Sequence, residues 1–109
     1  MPPTNEVGAR AWAGEAMKTG GYRFLDTHFD DRCKERGFDL PDVHAAIQRC
    51  RSVEPHTDPP KRGGTCWRFW GRNVDGDREF AVGLETYVEN GVAKVILLCT
   101  VIEARRTIR

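Results

Sequence analysis

The chain has 109 residues, of which 39% are hydrophobic and 30% charged, and its formal net charge is +1 at pH 7. This length suits one domain, and the balance of apolar and charged residues excludes a disordered chain or a membrane protein. The near-neutral charge excludes a uniformly basic nucleic-acid binder, but it is compatible with a local basic patch that acids elsewhere offset.

The N-terminal segment lacks the apolar core of a secretion signal, and the longest apolar run, Val95 to Ile102, is too short to span a bilayer. We therefore expect a cytoplasmic protein that makes no membrane contact. In that compartment the thiols of Cys33, Cys50, Cys66 and Cys99 are expected to stay reduced. The cysteines form no Cys-x-x-Cys pair and the histidines lie apart, so we expect neither a metal site nor a cofactor.

Residues 1–21 are predicted to form an N-terminal helical extension of the domain that occupies residues 22–109. The alanine-rich segment from about Glu6 to Lys18 favours a helix, and Gly20-Gly21 would end it. Trp12 is the largest side chain that this helix offers for packing.

A pair of helices is predicted next, between residues 26 and 50. The first begins at Asp26 or Thr27 as its cap and ends before Gly37, which offers the left-handed conformation of a helix terminus. The second has Asp39 as its cap. Its apolar face consists of Leu40, Val43, Ile47 and Cys50.

Three β-type runs between about Cys66 and Ile102 predict an antiparallel meander. Asp75-Gly76 and Asn90-Gly91 separate the runs, and these dipeptides favour the left-handed angles of tight hairpin turns. The first two runs alternate and are predicted to be half-exposed, whereas the last is apolar on both faces, as in a central strand. The preceding segment, Glu54 to Gly64, is rich in proline and glycine and is predicted to be an exposed loop.

These elements predict an α+β fold in which the helix pair packs on a three- to four-stranded antiparallel meander sheet, with the N-terminal helix as an addition. Because the last strand is apolar on both faces, the second side of the sheet needs a cover. The N-terminal segment with Trp12 is the leading candidate for that cover.

The spacing of His28, Arg32 and Arg36 stacks one imidazole and two guanidinium groups along one face of a helix, a set that we call the basic stripe. Guanidinium groups bind phosphate through paired hydrogen bonds, and a neutral histidine can act as a base near pH 7. A solvated helix face with ion pairs such as Arg32 to Glu35 accounts for the same spacing, and spacing alone favours that explanation.

A second basic cluster, the basic strand face, consists of Arg68, Trp70 and Arg72 on one side of the first strand of the meander. Such a set can stack a base on the indole and hold phosphates. The alternative is cross-strand pairing of the arginines with Glu79 or Glu85, with Trp70 covered by the N-terminal helix.

Thr100 interrupts the apolar last strand, where its hydroxyl can donate to a phosphate oxygen. A β-branched residue whose hydroxyl is satisfied inside the sheet is the alternative. His44 and His56 are assigned no role.

The most specific pattern is distributed over three segments: THFDDRCKERGFDLPDVHAAI, CWRFWGRNVDGDREFAVGLE and VAKVILLCTVIE. Together they resemble a small bacterial family of unknown function whose pattern is His-x3-Arg-x2/3-Arg-Gly-Ile, a helix, and a meander that ends in Thr-Val. That family is similar to RelE-type toxins and to the wider group of metal-independent ribonucleases. The resemblance covers roughly residues 22–103.

The resemblance implies a RelE-like, toxin-type domain that binds RNA and acts on it as an endoribonuclease without a metal. His28 would act as general acid or base, Arg32 and Arg36 would hold the scissile phosphate, and Thr100 would orient it. RNA and an antitoxin-like protein are the partners that this implies. The rival hypothesis is a non-catalytic interaction module that binds a protein or nucleic acid through its sheet edge or Trp-rich face, and a homodimer through that face is a third hypothesis.

Overall fold

The computed structural model describes residues 1–25 and 28–103, with their side chains except those of residues 28–30, 32 and 99–103. In this part of the chain there are three helices and five strands. In chain order they are α1 (Glu6–Thr19), β1 (Tyr22–Phe24), α2 (His28–Glu35), α3 (Leu40–Gln48), β2 (Ser52–Pro55), β3 (Thr65–Arg72), β4 (Glu79–Glu89) and β5 (Val92–Glu103). The α+β class is therefore confirmed.

The five strands form one mixed sheet in the order β1-β5-β4-β3-β2, in which only β1 runs parallel to its neighbour. The prediction of a purely antiparallel sheet with three to four strands is therefore wrong, although the meander β3-β4-β5 is present. The apolar stretch that contains β1 is too short to display an alternating pattern. Strand β2 includes Glu54 and Pro55, so the first two residues of the predicted loop from Glu54 to Gly64 belong to a strand. Proline is compatible with this position because β2 is an edge strand.

Local signals place the helix ends. The side chain of Asn5 caps α1 by accepting from Gly8 N at 2.8 Å, and Gly20 ends that helix with φ 80°. Asp39 and Asp42 form a reciprocal capping box at the start of α3. Gly37 follows α2 with the expected left-handed φ of 77°, while the predicted caps of α2, residues 26 and 27, lie outside the described residues.

All three helices contribute to one hydrophobic cluster on the first face of the sheet. Its buried members are Ala9, Ala13, Ala16, Met17, Cys33, Phe38, Val43, Ala46, Ile47, Val53, Trp67, Phe69, Phe80, Val82, Leu84, Val95 and Leu97. Trp12 packs against this cluster, and its Nε1 donates to Lys94 O at 2.9 Å. The expectation that Trp12 covers the second face is therefore wrong, because the small side chains of α1 let this helix pack closely beside α3.

The second face of the sheet has a smaller cluster, formed by Cys66, Tyr87, Ile96 and Leu98 with Leu25 packed against it. The loop formed by residues 56–64 lies over it, because backbone groups of this loop bind the side chain of Glu85. As a result β4 is buried on both faces from Phe80 to Tyr87. The prediction that this strand is half-exposed is wrong, since a loop rather than a helix supplies its second cover.

The two predicted turns are present. Asn90 and Gly91 have φ values of 53° and 76° and join β4 to β5, and Gly76 has φ 77° in the connection between β3 and β4. That connection is organised by Asn73, whose side-chain Oδ1 accepts from the N–H groups of Asp77 and Arg78. Among the described helices, none combines the length and apolar character that a membrane crossing requires.

Candidate functional site

The predicted catalytic residues lie on two neighbouring elements. His28 and Arg32 belong to α2, Arg36 follows that helix, and Thr100 belongs to β5. Helix α2 packs on β5. The side chains of His28, Arg32 and Thr100 lie outside the described part, so the structure gives the juxtaposition of their elements, and Arg36 is exposed.

An arginine that the sequence analysis did not select, Arg78, lies at the C-terminal end of α2. Its guanidinium donates to the carbonyl oxygens of Arg36 and Gly37 at 2.6 and 3.4 Å and lies 4.2 Å above the ring of Phe38. Carbonyl groups at a helix C-terminus carry partial negative charge, so a cation is favourable there. Arg78 comes from the β3–β4 connection, and no local pattern in the sequence indicates that this connection reaches α2.

The basic strand face lies on the second face of the sheet, where its acidic partner is on β2. Arg68 Nη1 lies 3.7 Å from Glu54 Oε1, and Trp70 Nε1 donates to the same oxygen at 2.6 Å. The alternative of pairing with Glu79 or Glu85 is therefore wrong in its partners. It failed because β2, which carries Glu54 beside β3, was not predicted.

Trp70 is partly buried and lies on the face opposite to α1, so the expectation that the N-terminal helix covers it is also wrong. Arg72 is exposed at the end of β3, and its Nη1 donates to Gly76 O at 3.4 Å. One carboxylate therefore serves Arg68 and Trp70, whereas Arg72 has a carbonyl partner. The strand face retains positive charge toward its Arg72 end.

A third set of polar groups is buried under the 56–64 loop. Glu85 is fully buried, and its carboxylate accepts from the N–H groups of Lys61, Arg62 and Gly64 at 2.8, 2.8 and 3.0 Å. The guanidinium of Arg62 also lies 5.4 Å from the centre of the Tyr87 ring. Glu85 thus fixes the loop over the sheet.

Beside it, His56 packs on the open surface of Gly83, where a Cβ atom would lie 3.2 Å from the imidazole Nε2. The Nδ1 of His56 accepts from Asp58 N at 3.1 Å, so in the neutral ring Nε2 carries the proton. Within the described part, this Nε2 and the hydroxyl of Tyr87 are the buried side-chain polar atoms without a hydrogen-bond partner. Sequence reasoning gave His56 no role, and nothing in its proline-rich surroundings predicted its burial.

Cys66, on the same face, is unsuited to nucleophilic chemistry. Burial raises the pKa of its thiol to about 11, and the neighbouring carboxylates of Glu85 and Asp58 add to the effect. A thiol of this kind is protonated near pH 7, whereas the reactive form is the thiolate. Cys33, Cys50 and Cys66 are all free thiols.

Among the described residues, histidine, cysteine, aspartate and glutamate side chains do not come together in groups of three or more that would ligate a metal. The prediction of no metal and no cofactor therefore still rests on the sequence. In comparisons with known proteins, no family model matches the chain, and no curated protein matches it. The resemblance to RelE-type toxins stays a prediction.

Proposed function

We propose that this protein is a RelE-like, toxin-type domain that binds RNA and cleaves it by metal-independent acid/base chemistry. The observation that supports this proposal is the packing of α2, which carries the basic stripe, on β5, which carries Thr100. Acid/base cleavage of a phosphodiester needs a proton-transfer group and cationic groups beside the same phosphate. Two packed elements that carry these groups are the minimum geometry for such a site.

In the proposed reaction, the neutral imidazole of His28 removes the proton from a ribose 2′-hydroxyl. The 2′-oxygen then attacks the adjacent phosphorus, and the bond from phosphorus to the 5′-oxygen breaks. That oxygen takes a proton from water, the protonated His28 returns its proton to the solvent, and the products are a 2′,3′-cyclic phosphate and a 5′-hydroxyl end. Arg32 and Arg36 stabilise the charge on the phosphoryl oxygens, and Thr100 orients the group through its hydroxyl.

The basic strand face is the proposed contact for the remainder of the RNA. The indole of Trp70 offers a ring on which a base can stack, and Arg72 offers a guanidinium that Glu54 does not engage. Because phosphate contacts release counterions, binding through this face weakens as the salt concentration rises.

The test is RNA cleavage by the purified full chain in the presence of a chelator. We expect products with 2′,3′-cyclic phosphate ends, and we expect His28→Ala to abolish them while the thermal unfolding midpoint stays close to that of the wild type. His44→Gln is the matched control, because it removes an imidazole from α3 rather than from α2. The centre of the His44 ring lies 5.2 Å from the centre of the Tyr22 ring. Equal cleavage by His28→Ala and the wild type would refute the proposed role of His28.

A non-catalytic interaction module is the second candidate, and the position of β1 favours it. This strand of Tyr22–Phe24 is at the edge of the sheet, paired with β5 alone, and an edge strand can accept an extended segment of a partner such as an antitoxin-like peptide. In that case the protein cuts no RNA, and expression does not arrest growth. Its complex with the partner would also be far less sensitive to salt than RNA binding.

A further inference from the structure

A small cavity lies where β2, β3 and the connection between β3 and β4 meet the end of α3. Its volume is about 170 Å³, which is below the roughly 300–1,000 Å³ of pockets that hold drug-sized ligands. The residues that line it are Arg49, Arg51, Gly71, Arg72, Asn73 and Gly76. Three of these lining residues are arginines, and the space suits one small group.

The chain brings these arginines together through two short connections. Arg49 caps the end of α3 and Arg51 lies directly before β2, where its N–H donates to Trp70 O at 2.7 Å. Arg72 ends β3. Gly71 lies against α3, and no side chain is tolerated at this position because a Cβ atom would lie 2.2 Å from Ala46 O.

The charges around the cavity are incompletely balanced. Arg51 forms two hydrogen bonds to Glu79, at 2.6 and 3.0 Å, and these bonds raise the pKa of the Arg51 guanidinium. Arg49 and Arg72 instead donate to the carbonyl oxygens of Val74 and Gly76 at 3.5 and 3.4 Å. These contacts are long for hydrogen bonds, and carbonyl groups do not neutralise a full positive charge.

Two nearby acids, Asp42 and Asp77, are engaged outside the cavity. The carboxylate of Asp42 accepts from Val74 N at 3.0 Å, and that of Asp77 accepts from the amide of Asn73 at 2.8 Å. No aspartate or glutamate is among the residues that line the cavity. The Glu79 carboxylate, which is bound to Arg51, also lies at this site. An anion placed in the cavity would therefore have Arg49 and Arg72 as its available guanidinium groups.

We infer that this cavity is a binding site for a single phosphate group. Arginine binds phosphate through paired, charge-assisted hydrogen bonds, and guanidinium groups on several sides can contact different oxygens of one tetrahedral anion. The phosphate is either free or carried by a nucleotide or an RNA strand. Phosphate binding in this cavity does not depend on the RNA cleavage proposed at α2 and β5. Arg72 belongs both to the cavity and to the basic strand face. An RNA strand bound on that face could therefore place a terminal or an internal phosphate in the cavity.

The experiment measures binding of inorganic phosphate to the full chain by isothermal titration calorimetry in a phosphate-free buffer of low ionic strength. We expect saturable binding at one site, and we expect the double variant Arg49→Gln/Arg72→Gln to bind about tenfold more weakly or worse. Arg72→Lys, which keeps the charge but loses the paired geometry, should fall between the two. Both arginines are exposed, so the urea midpoint of the double variant should match that of the wild type.

Arg23→Gln is the control, because it removes one exposed guanidinium at the opposite edge of the sheet, and it should bind phosphate as the wild type does. A nucleoside 5′-monophosphate and RNA oligonucleotides with and without a 5′-phosphate then identify the source of the group. A preference for the 5′-phosphorylated strand indicates a terminal phosphate, equal binding of both strands indicates an internal one, and binding of inorganic phosphate alone indicates a free ion. The inference is overturned if no probe binds the wild type, or if the double variant binds as tightly as Arg23→Gln.

Discussion

Glu85 is a carboxylate with 0% exposure in the middle strand of the sheet. A buried charge is tolerated only where hydrogen bonds replace its lost hydration. Here the three N–H groups of Lys61, Arg62 and Gly64 provide them. One side chain on β4 thus determines the position of a whole loop.

We predict that Glu85→Gln destabilises the protein by about 1.5–3 kcal/mol, the range for hydrogen bonds to charged groups. The amide of glutamine has one acceptor oxygen and directs N–H donors at the N–H groups of the loop. Urea unfolding gives the value. The control is Glu89→Gln, which loses an exposed ion pair with Arg23 and should cost only about 0–1 kcal/mol. Equal, small shifts in both variants would show that the loop does not depend on Glu85.

Cys66 predicts a specific pH dependence of stability. Burial and nearby carboxylates raise its pKa to about 11 in the folded state, above the value near 8.5 of a free thiol. The folded state therefore holds this proton more tightly, so the stabilisation is complete below the unfolded pKa and is lost as the pH rises toward 11.

In Cys66→Ser the hydroxyl does not ionise in this range. The variant should therefore lose less stability than the wild type between about pH 8, which is below the unfolded pKa, and about pH 10.5, which lies between the two pKa values. The measurement is the urea midpoint of each protein at both pH values. Because each protein is compared with itself, a general cost of placing serine in the core cancels. Parallel losses in the two proteins would contradict the assigned cause.

At the scale of elements, α3 lies unusually close to β3 because Gly71 has no side chain. We predict that Gly71→Ala costs about 1–3 kcal/mol or more, since the new Cβ would meet the backbone of Ala46 and neither element can move alone. Gly14→Ala in α1 is the matched control, because its Cβ would meet only Gln48 Oε1 at 3.4 Å. That change should stabilise the helix by about 0.5–1 kcal/mol. We expect the midpoint temperature of thermal unfolding to fall in Gly71→Ala and to rise in Gly14→Ala. A rise in both variants would show that α3 and β3 can move apart to admit the new side chain.

The elements that could be predicted from the sequence are those whose signals are local. The Asp39 cap of α3, the left-handed Gly37 and the turn at Asn90-Gly91 each depend on a few neighbouring residues. Strands β1 and β2 form instead because they pair with β5 and β3. Each has only three or four residues, which is too short to show the alternation of apolar and polar residues that marks a strand. Because β2 is not predicted, the sequence also does not indicate that Glu54 is the partner of the basic strand face.

In the candidate site too, features with a local sequence signal could be predicted, and features that depend on the tertiary fold could not. The spacing of the basic stripe was visible because residues four apart share a helix face. The contact of Arg78 with the end of α2, and the cavity between Arg49 and Arg72, arise from loops that only the tertiary fold brings together. Such groups have no sequence period, so spacing could not reveal them.

At the scale of the whole molecule, the resemblance begins near residue 22, whereas the hydrophobic core begins in α1. Ala9, Ala13, Ala16 and Met17 are at most 2% exposed and belong to the same cluster as the sheet. A hydrogen bond also connects α1 to α3, because Gln48 Nε2 donates to Gly14 O at 2.9 Å. Helix α1 is thus packed as an integral part of the fold, even though residues 1–21 lie outside the family pattern.

We therefore predict that a chain lacking residues 1–21 does not unfold cooperatively. Removal of α1 would expose the apolar face of α3 and one face of β5, because α1 contacts both elements. Exposure of that much core surface is incompatible with the marginal stability of a small domain. Urea unfolding followed by tryptophan fluorescence and by circular dichroism tests this, because a cooperative transition gives the same midpoint with both probes. Trp12→Phe in the full chain is the control: it loses the hydrogen bond to Lys94 O but keeps the helix, and it should remain cooperative with a cost of about 0.5–1.5 kcal/mol. If the shortened chain instead unfolds in one transition with an unchanged slope on urea, α1 is an appendage and residues 22–109 are a domain by themselves.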